Sequence, residues 1–194
     1  NMMTKIRPIL ATQCWNYEIT NQWLKYIQSQ YWDVNKYIYA IWIAPYMQLS
    51  VSWATTKEDI SNYVKNTSLP LVKDFTEWNS KIAKKYKIKL VTYEWWFDVY
   101  WTSINNNLVK EYFNSDLVQK DLVSYFNLWR EITNGWLFMR YFYWASNRND
   151  WYTYWTTTNL KNTDTFHLKA IKAYLTSSYN YLTDAEWFDK WIYK

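Results

Sequence analysis

Apolar positions along this chain follow two rhythms, short unbroken runs and longer stretches with an apolar residue every three or four positions. Residues 7–12 (Arg-Pro-Ile-Leu-Ala-Thr) predict a short strand ending at Gln13. Pro8 is tolerated only near its start, because proline has no N–H to give a ladder. After a turn at residues 14–16, Ile19, Trp23, Tyr26 and Ile27 recur at helical spacing, so a helix is expected over residues 18–29. Residues 37–44 (Tyr-Ile-Tyr-Ala-Ile-Trp-Ile-Ala) are apolar on both faces, as a strand buried in a parallel sheet is, and they stop at Pro45-Tyr46. Residues 47–56 read as a loop.

Thr56-Lys57-Glu58-Asp59 has the form of a capping box with Asp in place of the usual Glu, and it opens a helix to about Lys65. A second helix is expected from Ser68, with Pro70 in its first turn. Its buried stripe is predicted as Leu71, Phe75, Trp78, Ile82 and Tyr86. Residues 88–93 then form an apolar strand that ends on Glu94, followed by Trp95 and Trp96 and a polar loop through Asn107. Helices are expected at 108–113 and 117–132. Asn134-Gly135-Trp136 turns into a fourth strand at 137–143, a polar loop covers 144–163, and Asp164 caps a helix reaching about Ser177. Strands in series with helices imply a parallel sheet. Four such units fit either half of an eight-stranded barrel or a small open α/β sheet.

Composition changes that picture in one respect. The chain has 1 Gly and 16 Trp, whereas ordinary usage of about 7% would give roughly 14 glycines in a chain of this length. The tryptophans fall where glycines belong. Trp15, Trp32, Trp95, Trp96, Trp136 and Trp151 have turn-forming neighbours, and a positive φ is expected there. The reading that follows is that most of these codons are UGA, which the source decodes as glycine; richness in Lys, Asn, Ile and Tyr fits an AT-rich genome. Trp78 and Trp129 lie inside helical patterns, where glycine would cost about 1 kcal/mol, so those two are read as genuine.

Other classes are narrowed by charge and cysteine usage. A net charge of +5 comes with scattered basic residues and one cluster, Lys81, Lys84, Lys85, Lys87 and Lys89, most simply a solvated helix end and strand entry. No basic stripe argues for a nucleic-acid partner. A single cysteine, Cys14, excludes an intrachain disulfide framework and the usual zinc clusters. No apolar run approaches the roughly 18 residues of a membrane span. No metal constellation or cofactor-binding fingerprint is legible, and neither a metal nor a cofactor is expected. The chain opens in mid-pattern and reads as a fragment.

With glycine restored, Leu90-Val-Thr-Tyr93-Glu94-Gly-Gly, the earlier Ile43-Ala44-Pro45-Tyr46, and Trp129 followed by Asn134-Gly135-Gly-Leu137-Phe138-Met139 resemble a family of proteins. In that order and spacing they are similar to the C-terminal half of glycoside-hydrolase-like (β/α)8 barrel proteins with a Tyr-Glu-Gly-Gly motif. The resemblance covers roughly residues 5–178. It implies an α/β fold that is a partial (β/α)8 TIM barrel, strands 5 to 8 with their helices, over residues 1–178. Residues 179–194 then begin a following linker or segment. The missing N-terminal half of the barrel would be the nearest partner, a carbohydrate the ligand, and export or the cell surface the expectation for the parent.

Glu94 then resembles the catalytic carboxylate that retaining glycosidases of the large barrel clan carry at the end of strand 7. The implied function is hydrolysis of a polysaccharide or glycoside by a retaining mechanism, with Glu94 as nucleophile. The clan's proton donor, a Glu after an Asn at the end of strand 4, would lie before residue 1. From the residues alone, a structural ion pair for Glu94 remains open, as does a non-catalytic carbohydrate-binding or cell-surface role on the same barrel.

Tyr46 is placed to hydrogen-bond Glu94, or simply to pack at a strand end. Gln13 and Tyr143, at the ends of the first and fourth strands, are candidates for contacting sugar hydroxyls on the same rim. Tyr93 alternates to the face opposite Glu94 and reads as wall or core. Arg140, a charge inside an apolar strand, needs a partner. His167 reads as a surface or packing residue.

Overall fold

The computed structural model describes residues 6–99, 106–134 and 164–177. Among these, β1 (Ile9–Ala11), β2 (Ala40–Ile43) and β4 (Lys89–Thr92) form a parallel sheet in the order β1-β2-β4, and β3 (Met47–Leu49) pairs in parallel with β5 (Phe97–Val99). The intervening helices are α1 (Tyr17–Tyr31), α2 (Lys57–Tyr63), α3 (Leu69–Lys85), α4 (Asn106–Phe113), α5 (Asp116–Thr133) and α6 (Phe166–Thr176). The protein is therefore mixed α/β with parallel strand pairing, and the described strands do not close into a barrel. The predicted fourth strand, with Arg140 and Tyr143, lies outside the described residues, as does the segment after residue 177.

Alternation sorts the sheet. Ile41, Ile43, Ile88 and Leu90 pack with Leu24 of α1 and Ile82 of α3 in one buried cluster. Ala40, Trp42, Lys89 and Val91 occupy the other face, since successive strand side chains point oppositely. Lys89, expected at a solvated strand entry, is fully buried, and its Nζ donates to the Tyr39 hydroxyl at 2.8 Å. A second cluster joins β3 and β5 to α2, α4, α5 and α6.

The strands β3 and β5 fall in stretches predicted as loops. Each is three residues long, too short for periodicity to register, and each is held by a partner some fifty residues away.

The predicted helices form with corrected faces. In α1 the buried residues are Thr20 and Leu24, with Ile27 against the core, while Ile19, Trp23 and Tyr26 are exposed. In α3 the predicted Ile82 and Tyr86 are buried and Phe75 packs against the core, but Leu71 and Trp78 face outward, and Leu69, Val72, Thr76, Asn79 and Ala83 fill the inward row. Trp78 instead stacks on Tyr17 at 5.1 Å. The outward-facing positions hold large apolar residues, while the inward rows include small and polar ones, Thr20, Thr76, Asn79 and Ala83, that fit close helix–sheet contacts. Trp129 is buried in the core.

The capping box forms as read. Thr56 accepts from the Asp59 N–H at 3.2 Å, and the Asp59 carboxylate accepts from the Thr56 N–H at 2.9 Å. The expected break near residue 66 does not occur, because α2 runs through a π-type turn at Val64–Ser68 directly into α3. Pro70 supplies the reason. It has no N–H and its ring would collide with the carbonyl four residues earlier, and a widened turn just before it relieves both. The Ser68 hydroxyl, within that turn, donates to the Gln48 carbonyl and ties the helix to β3.

Lys87 sits at φ 56 beyond α3, with its N–H on the Lys84 carbonyl and the Ile88 N–H on the Ala83 carbonyl, both at 3.0 Å. This pair of bonds turns the chain directly into β4. At the far end, Thr165 rather than Asp164 caps α6, accepting from the Leu168 N–H, while Asp164 pairs with Lys169 at 3.0 Å.

Candidate functional site

Parallel pairing puts the C-terminal ends of β1, β2 and β4 side by side, so Gln13, Tyr46 and Glu94 all follow strand ends on the same edge of the sheet. The ladder continues past β1 through the Thr12 N–H on the Trp42 carbonyl at 2.9 Å, and past β4 through the Tyr93 N–H on the Ile43 carbonyl at 3.3 Å. It resumes where the Met47 N–H meets the Trp96 carbonyl at 2.7 Å and leads into β3 and β5. Between Ile43↔Thr92 and Met47↔Phe97, three residues on one track face four on the other. The extra residue makes a local bulge, a device that re-aims side chains and recurs beside active sites. Glu94 lies in that bulge.

The bulge also explains why two tryptophans follow Glu94. The chain does not turn back there; it continues into β5, so no tight turn is needed. Trp95 and Trp96 have ordinary negative φ and are buried, Trp95 against Tyr125 and Phe126, Trp96 against Phe97 and His167. Trp15 likewise lacks a positive φ. The expectation of a positive φ is met at Trp32 alone among the described tryptophans; Trp136 and Trp151 lie outside them.

At φ 65 and ψ −68, Trp32 is the centre of a γ-turn closed by the Asp33 N–H on the Tyr31 carbonyl at 2.8 Å. That positive-φ form is rare and strained for any residue with a Cβ.

Below the rim, a cavity of about 330 Å³ is lined by Thr12, Gln13, Tyr46, Gln48, Tyr93 and Asp98, among others. Gln13 and Tyr46, expected on one rim, both line this cavity. Glu94 is not in that wall. It is half-buried, and among the described residues no hydrogen bond joins it to Tyr46 and no cation pairs with it. Tyr93, expected as barrel wall or core on the face opposite Glu94, instead lines the cavity; its hydroxyl is pushed above the usual phenol range by burial first and by the Glu94 charge second.

The wall is braced from behind. Pro45, at the break in the ladder, offers its carbonyl to the buried Tyr125 hydroxyl at 2.6 Å, which fixes the backbone under Tyr46. Asn79, fully buried in α3, donates to the Cys14 carbonyl at 2.8 Å and to the Phe75 carbonyl at 2.8 Å, holding the turn that carries Gln13. Burial pushes the Cys14 thiol up to about 12, so it is a structural thiol and not a nucleophile near neutral pH.

Two residues in the wall, Gln48 and Asp98, carry no role in the sequence reading. Asp98 faces Gln48 in the β3–β5 register, and burial raises its carboxyl above the ordinary range. The available signal was an acid between two apolar residues in Phe97-Asp98-Val99, overlooked because the stretch read as loop. His167, read as surface or packing, is buried against Trp96 and Phe113 and packs.

Among the described residues no group of three or more His, Cys, Asp or Glu side chains is set to hold a metal. No helix among them is long and apolar enough to cross a membrane. No family model, curated protein or solved structure matches the chain.

Proposed function

We propose that the chain is the strand-5-to-8 half of a (β/α)8 barrel whose parent hydrolyses a glycoside by a retaining mechanism, with Glu94 as nucleophile. One observation carries the reading. The parallel strands bring Gln13, Tyr46 and the Glu94 bulge to the C-terminal edge of one sheet, where barrel enzymes build their sites. The packing of α1 and α3 against the Ile41, Ile43, Ile88 and Leu90 face is what a segment of barrel wall requires, with the opposite face turned to the barrel interior. A retaining enzyme needs a second carboxyl about 5 to 5.5 Å from the nucleophile. On this reading the missing half supplies it. The recoding of most tryptophans to glycine belongs to the same proposal, and the γ-turn at Trp32 supports it. Mass spectrometry of the native protein decides that part, with peptides retaining tryptophan at 32, 95 and 96 ending it.

The enzymatic part is tested in the glycine-restored, full-length parent. Glu94→Gln abolishes turnover with little change in melting temperature, because the amide keeps the shape but cannot form the glycosyl-enzyme. Glu94→Gly then recovers part of the rate with azide. A Glu94→Gln protein that hydrolyses glycosides at the wild-type rate removes the nucleophile. A second reading, non-catalytic carbohydrate binding, is favoured by one feature: the cavity that gathers Gln13 and Tyr46 is lined without Glu94.

A further inference from the structure

We propose that this cavity is itself a binding site for one neutral, polyhydroxylated ring, held by the Thr12 hydroxyl, the Gln13 and Gln48 amides and the Asp98 carboxylate. The identity of the ligand rests on the carbohydrate reading above, while the location of the site does not. Thr12 points to a ligand independently. It is 8% exposed, its Oγ1 has no hydrogen-bond partner, and it lines the cavity. A buried hydroxyl without a partner costs about 1–3 kcal/mol, a cost a bound acceptor or donor removes. Gln48 and Asp98 are register partners on β3 and β5, so both are set by one rigid ladder rather than by a loop.

The chemistry of the wall selects the class. Two amides and a threonine hydroxyl each donate and accept, and Asp98 adds an acceptor for hydroxyl protons, while Tyr46 and Tyr93 add aromatic lining. Sugars present that mixture of hydroxyls and C–H faces. A phosphate or carboxylate ligand would meet the Asp98 carboxylate with no lysine or arginine among the lining residues to offset it. The volume, about 330 Å³, is at the small end of ligand pockets at roughly 300–1,000 Å³, which suits a single ring. An adjoining cavity of about 400 Å³ shares Thr12, Gln13 and Tyr93 and reaches Asn16 and Trp23. A second ring has room there.

The experiment is calorimetric titration of the full chain, as written and with glycine at the recoded positions. The probes are glucose, galactose, xylose, N-acetylglucosamine, their 1,4-linked disaccharides and inorganic phosphate. Binding of at least one saccharide by either form is expected. Asp98→Asn and Gln48→Ala are expected to weaken it at least tenfold, and Thr12→Val several-fold with no loss of melting temperature. Glu77→Gln, on the outer side of α3, is expected to leave it unchanged. A saccharide that binds with the same Kd in all three cavity variants overturns this site and leaves the carbohydrate reading standing. No saccharide binding in either form overturns both. Phosphate binding tighter than any sugar overturns the neutral-ligand assignment, and a Thr12→Val protein that melts lower overturns the claim that Thr12 is held for a ligand.

Discussion

Replacing Trp32 by glycine and, separately, by alanine isolates the backbone from the side chain. Both changes remove the same indole, which is 82% exposed, so the burial lost is nearly the same and cancels in the comparison. What differs is the Cβ. At φ 65 and ψ −68, alanine keeps a strain of about 1–3 kcal/mol that glycine lacks. Glycine loses about 0.5–1 kcal/mol more than alanine in chain entropy on folding. Subtraction leaves Trp32→Gly more stable than Trp32→Ala by about 1 kcal/mol, which is about 2–4 °C in melting temperature for a chain of this length.

Position 78 is the control. Trp78 lies inside α3, where alanine is the better helix former, so the order inverts and Trp78→Ala exceeds Trp78→Gly by about 1 kcal/mol. Urea unfolding followed by far-ultraviolet circular dichroism gives both differences, provided the slope with denaturant is unchanged within each pair. Alanine equal to or better than glycine at position 32 refutes the argument, and with it the structural support for glycine decoding at that codon.

Three further outcomes follow from the packing. Asp121 is buried and accepts from the Tyr112 hydroxyl at 2.8 Å, with the Lys65 ammonium 3.7 Å away. Asp121→Ala strands that hydroxyl and costs about 1–3 kcal/mol, whereas Asp121→Asn keeps an acceptor and costs little, so equal losses in thermal melts would contradict the assignment. Burial raises the Asp121 carboxyl against the pull of Ser61, Tyr112 and Lys65. Its contribution is therefore fully present below the ordinary carboxylate pKa, about 3.9, and is lost as pH rises through the folded value. Melting measured from pH 3 upward should show Asp121→Asn gaining on the parent over that window. Asn79→Leu frees the Cys14 carbonyl and should lower stability by about 1–3 kcal/mol, with chemical denaturation as the check. Cys14, with its thiol pushed up to about 12, should resist iodoacetamide at pH 8 until denaturant is added, and rapid native labelling would show that the turn at residues 14–16 is open.

Local chemistry legible in single residues settled much of the chain. Thr56 and Asp59 specify their capping box with contacts no more than four residues apart, and the largely apolar runs at 37–44 and 88–93 specify parallel strands. Parallel strand order places their ends on one edge, which is why the sequence puts Gln13, Tyr46 and Glu94 on one rim. Tertiary structure decided the rest, because it depends on partners distant in sequence. The short strands at Gln48 and Asp98 exist only through each other, and the one-residue bulge that carries Glu94 arises only when two tracks with different spacing are laid side by side. The same non-local pairing let Trp95 and Trp96 run on into a strand where a turn was expected. Trp32 is the opposite case: its γ-turn is local, and the tryptophan there was already out of place in the sequence.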